Sequence, residues 1–127
     1  LFDGVEELDA VGPWEVLAAW SHFFPDDEVS VSCLAPEGGI VAAAKGMTLT
    51  AHHSFADAPA YDVLLHPGGR GTRPLMRDAA HLDWVRTQRA SVPLMTSVVH
   101  RFAGLCGRRP LAWPAGHHAL GITRPAR

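Results

Sequence analysis

The sequence predicts an α/β domain built on a mainly parallel sheet. Short apolar runs, YDVLLH at 61–66 and PLMTSVV at 93–99, alternate with segments of helical period. Paired glycines follow the first of these runs, as they do where a buried strand turns into a loop. The 127 residues suffice for one domain with a modest core.

Each element follows from its residues. LFDG at the start reads as the end of a strand, so the sheet is expected to be incomplete there and the first strand truncated. GVEELDA reads as an acidic turn. Pro13 suits the first turn of a helix, where its missing N–H costs nothing. PWEVLAAWSHFF continues with Val16, Leu17, Trp20 and Phe24 at helical spacing, until Pro25-Asp26-Asp27 stops it. EVSVSCLA alternates Val29, Val31 and Cys33 with serines and predicts a strand, and PEGG a turn. IVAAAKGMTLTAHH predicts a hairpin turning at Lys45-Gly46. YDVLLHPGG predicts a buried strand entering a loop. GTRPLMRD and AAHLDWVRTQRA predict helices, the second with Leu82, Val85 and Arg89 on one side. PLMTSVV predicts the next buried strand. Trp14, Trp20 and Trp84 are expected in the core or at a subunit face.

Composition narrows the function. A hydrophobic content of 47% with 19% charged residues describes a globular chain. No apolar run approaches the ~20 residues of a membrane helix, and no charged-then-apolar start reads as a secretory signal, so no membrane partner is expected. Two cysteines, Cys33 and Cys106, are too few for a disulfide framework, which implies a reducing, cytoplasmic setting. Net charge is −2. All thirteen acidic residues lie at or before Asp83, and seven arginines follow it. These arginines are spread among Pro, Gly, Ala and Trp instead of clustering, so nucleic-acid binding is not expected.

Ligands of open parallel sheets sit outside the carboxyl ends of the strands. Three segments reach that edge. LFDGVEELD brings Glu6, Glu7 and Asp9; VLLHPGGRGTR brings Gly68, Gly69, Arg70 and Gly71; PLMTSVV brings whatever follows Val98. Glycine there lets backbone N–H groups face an anion or a developing oxyanion. A carboxylate there can serve as acid or base. GGxG alone is equally compatible with a tight strand-to-helix turn. Glu6 and Glu7 divide evenly between pocket and solvated turn, and Arg70 and Arg73 are expected mainly in solvent or at an interface. His52-His53, His66 and His117-His118 show no HxH or HxxxH spacing, and no metal site is expected.

LFDGVEELDAVGPWEVL, APAYDVLLHPGGRGTRPLMRD, LDWVR and a strand ending TSV occur in an order that resembles the DJ-1/PfpI superfamily. Within it the chain looks most like the isonitrile hydratase-like branch and the related domain preceding DNA-binding modules in some AraC-type regulators. The resemblance covers residues 1–98 nearly continuously. It implies a flavodoxin-like three-layer sandwich, usually a homodimer, acting on a small molecule without a cofactor. It implies a cysteine nucleophile on a turn straight after the strand, in the form SVCTG. Asp9 falls on the acidic residue facing that cysteine, and Gly68, Gly69, Arg70 and Gly71 fall on the segment lining the pocket with backbone N–H groups.

The resemblance stops where the nucleophile belongs. Val99-His100-Arg101 stands in place of Cys-Thr-Gly, so Val99 marks the missing nucleophile. Cys106 lies seven residues further on and does not inherit the role. The genetic code offers a cause. With one base gained near Val98, reading from the second base of each codon turns Val99-His100-Arg101 into Cys-Thr-Gly. Permitted codons then continue as CTGSLVYAAAGLL and, after one open position, GRPATTHWASLDRL. Trp113, with its single codon before a proline, must give glycine. Residues 99–127 are therefore read as an out-of-frame tail, which accounts for its acid-free, Arg- and Pro-rich composition.

The resemblance thus implies a fragment of an isonitrile hydratase-like enzyme, adding water to an isonitrile through a cysteine and inactive in its present frame. The alternative is the ligand-sensing domain of an AraC-type regulator. Glyoxalase or amidase chemistry is a third option.

Overall fold

The computed structural model describes residues 1–98. Val99, Cys106 and the His117-His118 pair lie outside the described residues. The described residues form three helices: α1 (Glu7–Phe23), α2 (Thr72–Leu75) and α3 (Ala79–Ser91). A 3-10 turn spans Pro25–Asp27. The strands are β1 (Leu34–Ala35), β2 (Gly39–Ala42), β3 (Thr48–Ala51), β4 (His53–Ser54), β5 (Val63–His66) and β6 (Leu94–Ser97).

The strands join in pairs. β1 and β4 are parallel, β5 and β6 are parallel, and β2 and β3 form an antiparallel hairpin. In the pair that ends at the candidate site, Val63 lies opposite Leu94 and His66 opposite Ser97. The chain between β5 and β6 carries α2 and α3, the crossover that a parallel pair requires. This is α/β architecture with a partial sheet.

Several elements differ from their sequence-based outlines. No strand forms over 1–4; Val5 makes an isolated antiparallel bridge to Gly69. α1 begins at Glu7, so the acidic turn is its first turn and Pro13 lies inside the helix. Two local facts set this start. Gly4 has a φ of 76°, which turns the chain, and the extended Glu6 donates its N–H to the Gly68 carbonyl at 2.9 Å. Glu7 and Asp9 then sit where the helix dipole favours negative charge. Pro13 has no N–H to give the Asp9 carbonyl.

EVSVSCLA yields only Leu34–Ala35 as strand, because β4 runs alongside only that part. The hairpin forms as expected, with Gly46 at a φ of 100° in its turn. GTRPLMRD gives a single turn, Thr72–Leu75, before Asp78 caps α3 by accepting from the N–H groups of Ala80 and His81. β5 and β6 are half-buried instead of buried: Val63 is 52% exposed and Leu94 49%.

One core cluster joins Phe2, Val5, Ala35, Val41, Ala43 and Ala51, with Leu1, Ala10, Leu49 and Leu75 packed against it. A second centres on Val85, at 1% exposure, with Leu75, Leu82, Trp84 and Met95. Leu8, Val16, Phe23 and Phe24 on and after α1 are exposed. Of the tryptophans, Trp14 stacks on His52, Trp20 donates to Asp27 at 2.8 Å, and Trp84 stacks on Phe55.

Candidate functional site at the strand edge

The N-terminal turn, α1 and the loop after β5 meet at the carboxyl end of the β5–β6 pair. Asp9, in the first turn of α1, is buried, and its Oδ2 accepts the Gly68 N–H at 3.0 Å. The Glu6–Gly68 hydrogen bond and the Val5–Gly69 bridge run beside it. The Gly71 N–H donates to the Gly4 carbonyl at 3.1 Å. The Gly69 carbonyl accepts from both the N–H and the hydroxyl of Thr72, at 3.2 and 2.8 Å.

Only glycine fits this loop. At Gly69, with φ 128°, a Cβ would lie 2.4 Å from the Glu6 nitrogen. At Gly71 it would lie 2.0 Å from the Asp3 carbonyl oxygen. Close backbone approach is thus the local reason for GGRG. The N–H groups of Gly68 and Gly71, expected to face a pocket, are given to Asp9 and Gly4. The Arg70 and Arg73 side chains are exposed, as expected.

Glu6 and Glu7 turn toward the hairpin. Lys45 pairs with Glu6, and its backbone N–H donates to Glu7 Oε1 at 2.5 Å. Burial pulls the Glu7 carboxyl up, but backbone N–H groups of Glu7, Lys45 and Met47 and the Lys45 ammonium outweigh it and hold it below its usual value. These two acids tie α1 to the β2–β3 turn, while Asp9 alone of the three reaches the glycine loop.

β6 ends beside this loop. Ser97 lies opposite His66, and the Val98 N–H donates to the His66 carbonyl at 3.3 Å. The strand therefore delivers the chain to the Asp9 edge at Val98. Val99 itself lies outside the described residues.

A buried histidine pair, unmarked by any local sequence signal, lies here. His66 and His81 are 8% and 4% exposed, with their Nε2 atoms 3.4 Å apart. His66 Nδ1 lies 2.9 Å from the Pro67 carbonyl oxygen. Phe2 stacks on His66, and Phe55 and Trp84 flank His81. Burial lowers the His66 pKa to about 4, more than the Pro67 carbonyl raises it, and burial also lowers His81. The pair stays neutral at pH 7. Fifteen residues separate the two in sequence, one ending a strand and one in a helix, so no local period links them.

The adjacent pair His52-His53 lies elsewhere: His52 Nδ1 accepts the Cys33 N–H at 3.0 Å, and His53 belongs to β4. Among the described residues no group of three or more His, Cys, Asp or Glu is arranged to hold a metal. Cys33 is the cysteine among them, and burial pushes its thiol pKa up, against the trend of a nucleophile. No helix among the described residues is long and apolar enough to cross a membrane.

Comparison with known proteins agrees with this geometry. The DJ-1/PfpI family model matches residues 1–104. Isonitrile hydratase of Pseudomonas putida is 39% identical over 100 residues, 77% of this chain and 40% of the relative. A ThiJ/PfpI family protein from Pseudomonas syringae superposes with a TM-score of 0.63 at 24% identity, covering 82% of this chain and 40% of that one. A DJ-1 superfamily protein from Salmonella typhimurium gives 0.64 at 20% identity, covering 84% of this chain and 56% of that one. The chain thus spans about two fifths of the curated relative it matches. On the family match and the shared fold, the chain belongs to the DJ-1/PfpI family.

Proposed function

We propose that residues 1–98 are the N-terminal part of an isonitrile hydratase-like enzyme, a cytoplasmic homodimer when intact, and that residues 99–127 are read out of frame. The intact enzyme adds water to an isonitrile and yields an N-substituted formamide. The thiolate of a cysteine at position 99 attacks the terminal isonitrile carbon. Asp9 supplies a proton to the developing carbanion to give a thioimidate. Water then adds at that carbon, giving up a proton to the Asp9 carboxylate as the C–S bond breaks and the thiolate leaves. The resulting imidic acid tautomerises to the formamide. No cofactor is needed. The chain in its present frame has Val99 there and is inactive.

One observation carries this reading: the buried Asp9 carboxyl, held by the Gly68 N–H, lies at the edge where parallel β5 and β6 end. The 39% identity to an isonitrile hydratase supports the substrate class. Exposed Leu8, Val16 and Phe23 on α1 support a subunit contact.

The test is an assay of alkyl isonitrile hydration by two chains, the present one and one with a single base removed at codon 99. Formamide production by the second alone supports the proposal. Production by the present chain contradicts it. Tight isonitrile binding without turnover by the second favours the AraC-type sensing role instead.

A further inference from the structure

We propose that His66 and His81 are positioning residues for Asp9, acting through one shared peptide unit. The Pro67 carbonyl and the Gly68 N–H belong to the same peptide. Its oxygen faces His66 Nδ1 at 2.9 Å, and its nitrogen donates to Asp9 Oδ2 at 3.0 Å. His66 therefore fixes the plane of the group that holds the carboxylate. This inference rests on the reading of Asp9 as the site carboxyl only for its catalytic consequence.

The donors and acceptors admit one arrangement for a neutral pair. A carbonyl oxygen only accepts, so His66 Nδ1 carries the hydrogen and its Nε2 is bare. His81 Nε2, 3.4 Å away, must then donate to it. That leaves His81 Nδ1 bare, and this buried atom has no hydrogen-bond partner among the described residues. A bare ring nitrogen is the cheaper group to leave so, because an N–H in that place would be an unsatisfied donor. The hydrogen bonds run in one direction: His81 to His66, His66 to the Pro67–Gly68 peptide, the peptide to Asp9. Each link polarises the next. α3 thereby helps to orient a carboxyl carried by α1.

The test uses the 127-residue chain labelled with 15N. Histidine 15N shifts report the tautomers, with His66 expected as the Nδ1–H form and His81 as the Nε2–H form. Amide exchange then reads the Gly68 N–H. His66→Asn keeps an N–H near the Nδ1 position, whereas His66→Gln places its amide near Nε2. Gly68 is expected to exchange roughly fivefold to tenfold faster in His66→Gln than in His66→Asn, the loss of one ordinary hydrogen bond. Equal Gly68 exchange in the two variants, or reversed tautomers, would overturn the proposal. Neither readout involves substrate, so failure of the hydratase reading leaves both standing, and their failure leaves that reading standing.

Discussion

Asp9 and Gly68 are 59 residues apart in sequence and 3.0 Å apart in space, carboxylate oxygen to amide nitrogen, and both are buried. This contact fastens the start of α1 to the loop that leaves β5. It also fixes a carboxyl at the carboxyl end of a parallel strand pair, the edge where open parallel sheets in general bind ligands.

Substitutions at Asp9 separate its structural and chemical roles. Asp9→Asn keeps an oxygen that accepts the Gly68 N–H, so the melting midpoint changes little. Asp9→Ala leaves a buried donor unsatisfied and costs about 1–3 kcal/mol. Under the proposed hydratase chemistry, both lose turnover by about 10²-fold or more in a chain carrying the restored cysteine, the usual contribution of an acid–base group. Denaturant melts beside isonitrile hydration rates check this pair of outcomes.

Gly71→Ala is expected to destabilise the chain by about 2 kcal/mol or more, since backbone must move to admit the methyl group. The added Cβ would lie 2.0 Å from the Asp3 oxygen and 2.8 Å from the Phe2 ring. Gly71 has a φ of −63°, so its variant carries the clash without backbone strain, whereas Gly39→Ala, at φ 72° with nothing within 4 Å, carries the strain without a clash. Urea midpoints of the two variants, followed by circular dichroism, give the comparison.

Acid destabilises the fold through His66. Its pKa is lowered in the folded state from the ordinary 6.5 to about 4. Between those values the unfolded chain binds the proton and the folded chain does not, so stability rises with pH there. The contribution is fully present above about pH 6.5 and is lost as pH falls toward 4. It amounts to about 3 kcal/mol at most. His81 and Asp78 on α3, the Pro67 carbonyl and the Leu1 amino group are the charged and polar groups that bear on the pair, and His81 shifts in the same direction. Urea midpoints from pH 4 to 7 should slope upward, and His66→Phe should flatten the slope.

Much of this was legible in the sequence, for identifiable reasons. The β2–β3 hairpin declares itself because Lys45-Gly46 supplies the turn that Gly46 needs. β5 and β6 declare themselves by apolar runs, although Val63 and Leu94 remain half exposed because nothing among the described residues covers them. The start of α1 was hidden: Pro13 signals a helix beginning, and only the tertiary bonds of Gly4 and Glu6 move that beginning to Glu7. Residues 28–33 alternate like a strand but form no strand ladder among the described residues; Cys33 alone of them bonds to the His52–His53 backbone. Asp9 was singled out by its motif, and the structure sets its carboxyl on the Gly68 N–H. The His66–His81 pair was not singled out, because its members meet only when α3 packs on β5.

Lys45→Ala should cost no more than about 1 kcal/mol, because its ammonium is exposed and pairs in solvent. Glu7→Ala should cost more, since it also frees the Lys45 backbone N–H that Oε1 accepts. Thermal melts at low and high salt distinguish them: raising salt should shrink the lysine effect and leave most of the glutamate effect.

The proposed hydratase requires a cysteine where Val99 stands. Sequencing the DNA across codons 98 to 101 decides whether one is encoded there. Of the four valine codons only GTG, followed by the C of a histidine codon, shifts to TGC, cysteine. GTG at Val99, CAC at His100 and an arginine codon ending in GG at Arg101, which together shift to Cys-Thr-Gly, are the codons that this proposal requires. Any other valine codon at position 99 would contradict it.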